Sequence, residues 1–446
     1  MESLKKYGVT LPGILLPKKI DLESWSVIAC DQYTQDRDYW QEAARIAGEE
    51  PSTLKLIFPE VYLGDEGKEE RIESIQKTMK QYLDQGVFAP EMEGFVYIER
   101  TTAYGRTRKG LVLAVDLESY DWKPLSKALI RATEQTVPER IPPRMKIRRG
   151  APLELPHIML LADDAEDALV GGTGALVKKN APLYDGDLQQ KSGHITGWSV
   201  QGQEALAHVE EALEAIARKG TDKEGNVFLF AVGDGNHSLA TAKAVWEEHK
   251  KALLEKGATE AELAGNPVRY ALVEVVNIYD EGLTFEPIHR VVFKADADRL
   301  MQEEAAKLGG SLQECAGKAE LEKAVSATDA RGARYGFIFT KGGKTRCCLL
   351  ETAITDLAIA ALQPALDEYI ASKRSQGGSI EIDYIHGSQE TMQLGSQEGQ
   401  LGILLPPIAK DSFFATISGR GVLPRKSFSM GEASEKRFYV EARKLF

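Results

Sequence analysis

Hydrophobic positions recur along this chain with two different periods, and the alternation between them lays out its elements. A spacing of three to four residues predicts helices over 37–47, 69–85, 204–219, 239–256, 297–308 and 355–372. Leu239, Ala242, Val245, Trp246, Leu253 and Leu254 make the apolar side of the fourth, and Gly86 and Gly257 sit where the second and fourth should stop. Short apolar or alternating runs predict strands over 26–30, 155–162, 227–232, 270–276, 335–340, 346–351 and 401–405. Segments 94–100 and 108–115, joined by a turn around Tyr104-Gly105, predict a hairpin.

Strands and helices interleave from end to end, with no internal repeat, heptad array or low-complexity tract. That pattern predicts a mixed α/β fold: a central mixed sheet with flanking helices, two lobes enclosing a cleft, and a small α/β insertion. The expected regions are an N-terminal α/β part (1–124), a central part (125–293), the smaller insertion (294–375) and a C-terminal part (376–446) that returns to the main body.

Composition narrows the partners. At 446 residues and 43% hydrophobic content the chain can fill several cores. A net charge of −12 argues against nucleic acid or an anionic membrane surface as the main partner. The segment 125–149 reverses that balance with Arg131, Arg140, Arg144, Lys146, Arg148 and Arg149, which suits either a solvated face or an anion-binding rim. Four cysteines without metal-ligand spacing, and no uncharged stretch long enough for a bilayer, lead to the expectation of a cytoplasmic protein with reduced thiols. The run before Pro12 does not read as a secretory leader.

The densest chemistry lies where the strand expected at 227–232 meets Gly233-Asp234-Gly235-Asn236-His237-Ser238 and then a helix. A carboxylate, an imidazole and the unpaired amides of a helix start suit an anion such as phosphate. Gly233 and Gly235 allow close backbone approach, and Asn236 or Ser238 can cap the helix. A plain capped turn uses several of the same residue types, and the spacing is not that of a Walker A loop. Four other candidates are Glu134 as general base or magnesium ligand, the His289-Arg290 pair as a phosphate grip, Lys426 with Ser427 in a Pro-framed loop, and Asp31 after the 26–30 strand.

Taken together these pieces resemble, in order and over nearly the whole length, the bacterial and archaeal family numbered 1015 among domains of unknown function. The matching pieces are Ala29-Cys30-Asp31-Gln32-Tyr33, Thr133-Glu134-Gln135-Thr136, the loop from Gly233 to Ser238, the segment ending His289-Arg290, and Leu423-Pro424-Arg425-Lys426-Ser427. Over 204–250 the loop also resembles the Asp-Gly-His-His-Arg segment of free-serine kinases related to the ParB and sulfiredoxin fold. Asn236 stands here for the first histidine and Ser238 for the arginine.

The second likeness implies a magnesium-dependent enzyme that transfers phosphoryl from ATP or ADP to a small hydroxylated metabolite. In that scheme Asp234 holds magnesium or orients the acceptor, His237 and backbone amides hold phosphate, and Glu134 is the base. Gly233, Gly235, Asn236, Ser238, His289, Arg290, Lys426 and Ser427 then line the nucleotide. A non-catalytic nucleotide or phosphometabolite sensor and a phosphoester hydrolase remain open alternatives. Oligomeric state is not legible.

Overall fold

A strand apolar on both faces is stable only between two hydrophobic layers, and this chain has several of them. Residues 2–19, 21–327 and 331–446 of the computed structural model are described, and the chain divides into a unit of 1–283 with 431–446 and a unit of 284–430. In the first unit we number β1 (Val9–Thr10), β2 (Phe95–Thr102), β3 (Thr107–Asp116), β4 (Tyr120–Asp121) and β5 (Ile130–Arg131). They are followed by β6 (Met159–Ala162), β7 (Tyr184–Asp187), β8 (Gly193–Val200), β9 (Phe230–Asp234) and β10 (Tyr270–Asn277).

Among the described residues these make one ten-stranded mixed sheet in the order β7-β8-β2-β3-β10-β6-β9-β5-β4, with β1 also paired to β3. The β10–β6, β9–β5 and β5–β4 pairings are parallel and the others antiparallel. The pleat sorts side chains to opposite faces. Phe95, Tyr97, Leu111, Leu113, Val273 and Val275 belong to one core, Val96, Ile98, Val112 and Leu272 to the other.

Helices cover both faces. α1 (Arg37–Ala47) and α2 (Lys68–Asp84) bring Trp40, Ala43, Ile72, Ile75 and Met79 to the second core. α3 (Ile141–Arg148) lies within the basic segment and carries Arg144, Lys146 and Arg148. α4 (Gln203–Lys219) and α5 (Asn236–Glu255) bring Val209, Leu213, Ile216, Leu239, Val245 and Trp246 to the first.

The strand expected at 26–30 is reduced to a single bridge, Ile28 with Phe438. Its backbone groups are used otherwise: Val27 N–H donates to Thr53 Oγ1 (3.1 Å) and Ala29 N–H to the Arg437 carbonyl (2.9 Å). The strand expected at 155–162 shortens to β6. The C-terminal residues Phe438, Tyr439, Val440 and Ala442 complete the second core, so the last residues of the chain are part of the first unit's interior.

One glycine in the sheet has a chemical reason. A Cβ on Gly110 would lie 2.4 Å from Glu274 Oε1, because that wholly buried carboxylate folds over the neighbouring strand to reach Arg108 (3.3 Å) and Arg437 (2.5 Å).

The second unit holds β11 (Phe285–Phe293), β12 (Ser311–Glu314), β13 (Arg334–Lys341), β14 (Lys344–Glu351), β15 (Glu381–His386), β16 (Gln400–Leu404) and β17 (Phe428–Met430). Among the described residues they form a seven-stranded antiparallel sheet in the order β12-β14-β13-β16-β11-β15, with β17 on β11. Its helices are α6 (Ala297–Leu308), α7 (Lys318–Ser326), α8 (Ala358–Ser375), α9 (Ser388–Gly395) and α10 (Lys410–Arg420). Among the described residues no helix is long and apolar enough to cross a membrane.

Candidate functional site

The loop after β9 is shaped by its two glycines. β9 slips register against β6 between Val232 and Asp234, which makes Gly233 the extra residue of a bulge. Gly235 then takes φ +82°, and a Cβ there would sit 3.0 Å from Ile158 Cγ1 and 3.2 Å from Ile158 Cα. Both the left-handed backbone and the close approach require glycine. α5 starts at the next residue and runs for 20 residues with no side-chain cap at Gly235. Its first amides are out of reach of any intrahelical carbonyl.

Asn236 does not cap this helix. It is the first helical residue, and it ties the loop to the segment after β5: Thr133 N–H donates to Asn236 Oδ1 and Asn236 Nδ2 donates to Thr133 Oγ1, both at 3.2 Å. Thr133 Oγ1 in turn donates to the Val232 carbonyl (2.6 Å). A second tie joins Val137 N–H to His237 Nε2 (3.2 Å). Glu134, half-buried, lies in the short segment held between these two ties. The structure thus brings Glu134, Asp234, Asn236 and His237 into one neighbourhood.

Asp234 is engaged on both oxygens. Gly235 N–H donates to Oδ1 (3.0 Å), and Lys436 Nζ lies 3.3 Å from Oδ2. The Lys436 side chain is only 10% exposed, so this cation is held in place and weakly solvated.

Ser238 faces a third set of partners. His157 Nε2 is 2.7 Å from Ser238 Oγ, and His157 Nδ1 is 3.0 Å from the Tyr439 hydroxyl, which also accepts the Cys30 N–H (3.2 Å). These groups line a cavity of about 140 Å³ together with Phe58 and Leu155. Glu60 and Arg144 line it as an ion pair. Burial pushes the Glu60 carboxyl above its ordinary value, against the pull of the Arg144 guanidinium. Burial also pushes the Cys30 thiol up, so at neutral pH it is protonated and unreactive.

His289, Arg290, Lys426 and Ser427 belong to the second unit. His289 Nδ1 accepts the Leu405 N–H (3.0 Å), and burial, reinforced by Arg290, lowers its pKa to about 4. Arg290 is fully buried. It donates to Gln363 Oε1 (2.8 Å) and to the Lys426 carbonyl (2.9 Å), with its guanidinium 4.7 Å from the Tyr384 ring centre. Ser427, also buried, donates to the Pro424 carbonyl, while Lys426 is exposed at φ +59°.

Sequence reasoning did not find His157, Tyr439, Lys436 or Glu60. The one local signal was a histidine set directly before the apolar run Ile158–Leu161, too weak to single out. Among the described residues no group of three or more His, Cys, Asp or Glu could hold a metal ion.

A family model described as a protein of unknown function, DUF1015, matches residues 12–369. The chain belongs to this family. Solved structures of similar outline are a free serine kinase in complex with AMP (10% identity, 75% of this chain and 92% of that one, TM-score 0.37) and a conserved hypothetical protein from Pyrococcus furiosus (11%, 75% and 97%, 0.33). A C-terminally truncated SbnI from Staphylococcus aureus is a third (12%, 72% and 82%, 0.33). No functionally curated protein matches the DUF1015 chain.

Proposed function

We propose that this DUF1015 protein is a phosphotransferase, moving a phosphoryl group from ATP or ADP to a small hydroxylated metabolite at the start of α5. What supports the reading most is the Asp234–Lys436 pair, 3.3 Å apart, beside the uncapped first turn of a 20-residue helix. Phosphoryl transfer depends on positioning and charge neutralisation, and a carboxylate, a held cation and helix amides supply both.

Magnesium fits here as an ion carried in on the nucleotide. A single carboxylate plus phosphate oxygens is an ordinary magnesium environment, whereas a resident ion would need more protein ligands than Asp234 provides. When bound it would offset phosphate charge. The first turn of α5 and His237 would hold phosphate, with Asn236 locking the loop to Thr133. Glu134 would take the acceptor proton. His289, Arg290, Lys426 and Ser427 belong to the second unit, where Arg290 holds the Lys426 carbonyl, and this scheme gives them no part in the transfer.

The test is Asp234→Asn. Its turnover of ATP or ADP against a panel of hydroxylated metabolites should disappear, with a melting temperature close to the parent's because asparagine keeps an oxygen for the Gly235 N–H. Unchanged turnover overturns the assignment. Tight nucleotide binding by the parent with no product from any acceptor would favour a sensor, and nucleotide loss without acceptor a hydrolase.

A further inference from the structure

The phosphotransferase reading leaves one constellation unused. Ser238, His157 and Tyr439 form an unbroken hydrogen-bonded chain, 2.7 Å and then 3.0 Å, at the wall of an open cavity of about 140 Å³. We infer that Ser238 is a covalent nucleophile, with His157 as its base, and that the phosphoryl group rests on Ser238 between donor and acceptor.

The order of groups is what a nucleophile requires: a hydroxyl within reach of a base, and the base oriented by a third residue. Only the imidazole tautomer protonated on Nδ1 leaves Nε2 free to accept the Ser238 proton. Tyr439 suits that tautomer. Its oxygen accepts the Cys30 N–H and can accept Nδ1–H as well, while its own proton has the Cys30 side chain as partner. Tyr439 is therefore a positioning residue, buried with its ring 5.6 Å from that of His157. Ser238 also occupies the third position of α5, where the helix dipole favours the negative charge of a phosphoseryl group.

The inference rests on the phosphotransfer reading and adds a step to it. Ser238 Oγ attacks the terminal phosphorus of the nucleotide, its proton passes to His157 Nε2, and the bridging P–O bond breaks to release the shortened nucleotide. The acceptor hydroxyl then attacks the phosphoserine, giving its proton to Glu134. The serine oxygen leaves as phosphorus transfers and recovers its proton from His157.

Diisopropyl fluorophosphate tests the nucleophile without any nucleotide, because it forms the Ser–phosphorus bond by expelling fluoride. In the intact protein it should modify the peptide containing Ser238. The adduct should be absent in Ser238→Ala and should form about 100-fold more slowly or worse in His157→Ala and in His157→Gln, whose folding is checked by circular dichroism. Nitrogen NMR of His157 should report the Nδ1-protonated ring in the parent and lose that preference in Tyr439→Phe. No adduct on the folded parent overturns the nucleophile. Terminally labelled ATP or terminally labelled ADP, each tried with magnesium and no acceptor, should leave acid-stable phosphate on Ser238. A fluorophosphate adduct without this label overturns the nucleotide reading and leaves the nucleophile standing.

Discussion

Glu304 in α6 is fully buried, and neither of its carboxylate oxygens has a hydrogen-bond partner. Burial raises its pKa from 4.5 to about 7, with the Lys307 ammonium opposing. The native state therefore holds this proton more tightly than the unfolded chain. Stability is highest where both states are protonated, below about 4.5, and falls as pH rises through the window to about 7. The difference of about 2.5, at about 1.36 kcal/mol each, makes ionised Glu304 cost about 3 kcal/mol.

Glu304→Met keeps the length and removes the charge. Urea unfolding followed by circular dichroism should show the variant gaining about 3 kcal/mol over the parent near pH 8, with most of that gain gone near pH 4.5. Comparison with the variant is essential, because His289 in the same unit titrates with the opposite sign over nearly the same range and flattens the parent's own profile. An advantage equal at both pH values, or a Glu304 carboxyl that titrates near 4.5 by carbon NMR, would refute the reasoning.

Three further outcomes follow from the geometry. Unfolded His289 takes up its proton near 6.5 but the folded residue only near 4, so this group withdraws about 3 kcal/mol across that interval as pH falls, which Glu304 largely offsets in the parent. His289→Asn, read by the same unfolding assay, should therefore gain about 3 kcal/mol relative to the parent as pH falls through that interval. Arg437→Met leaves Glu274 and Glu441, both fully buried, short of a cation and should cost about 3–5 kcal/mol. Tryptophan fluorescence follows it, since all five tryptophans lie in the first unit. Thr133→Val removes the donor to Val232 and the acceptor of Asn236, and should lower stability by about 1–2 kcal/mol in thermal unfolding while weakening any nucleotide-induced shift.

Elements with local stop signals were legible. α1 has the extent its hydrophobic spacing predicts, and the structure shows its ends fixed by Asp36, which accepts the Tyr39 N–H, and by Gly48. The start of α5 was read three residues late because the first turn carries Asn236, His237 and Ser238 rather than apolar residues, although the helix already begins there. The 26–30 segment has a strand's composition, yet it makes one bridge, with a partner more than 400 residues away that no local pattern announces.

The candidate site divides along the same line. By itself the sequence determined that a strand ending near 232 would be followed by a loop with two conformationally free glycines, 233 and 235, and then a helix, because backbone conformation is set by neighbours a few residues apart. Tertiary structure alone decided that Asp234 would meet Lys436, that Asn236 would bond Thr133, and that Ser238 would face His157 backed by Tyr439, a pair 282 residues apart. Those partners depend on which strands become neighbours in the sheet and on where the C-terminal segment docks. Hydrophobic burial across the whole unit selects that arrangement, and periodicity along the chain does not encode it.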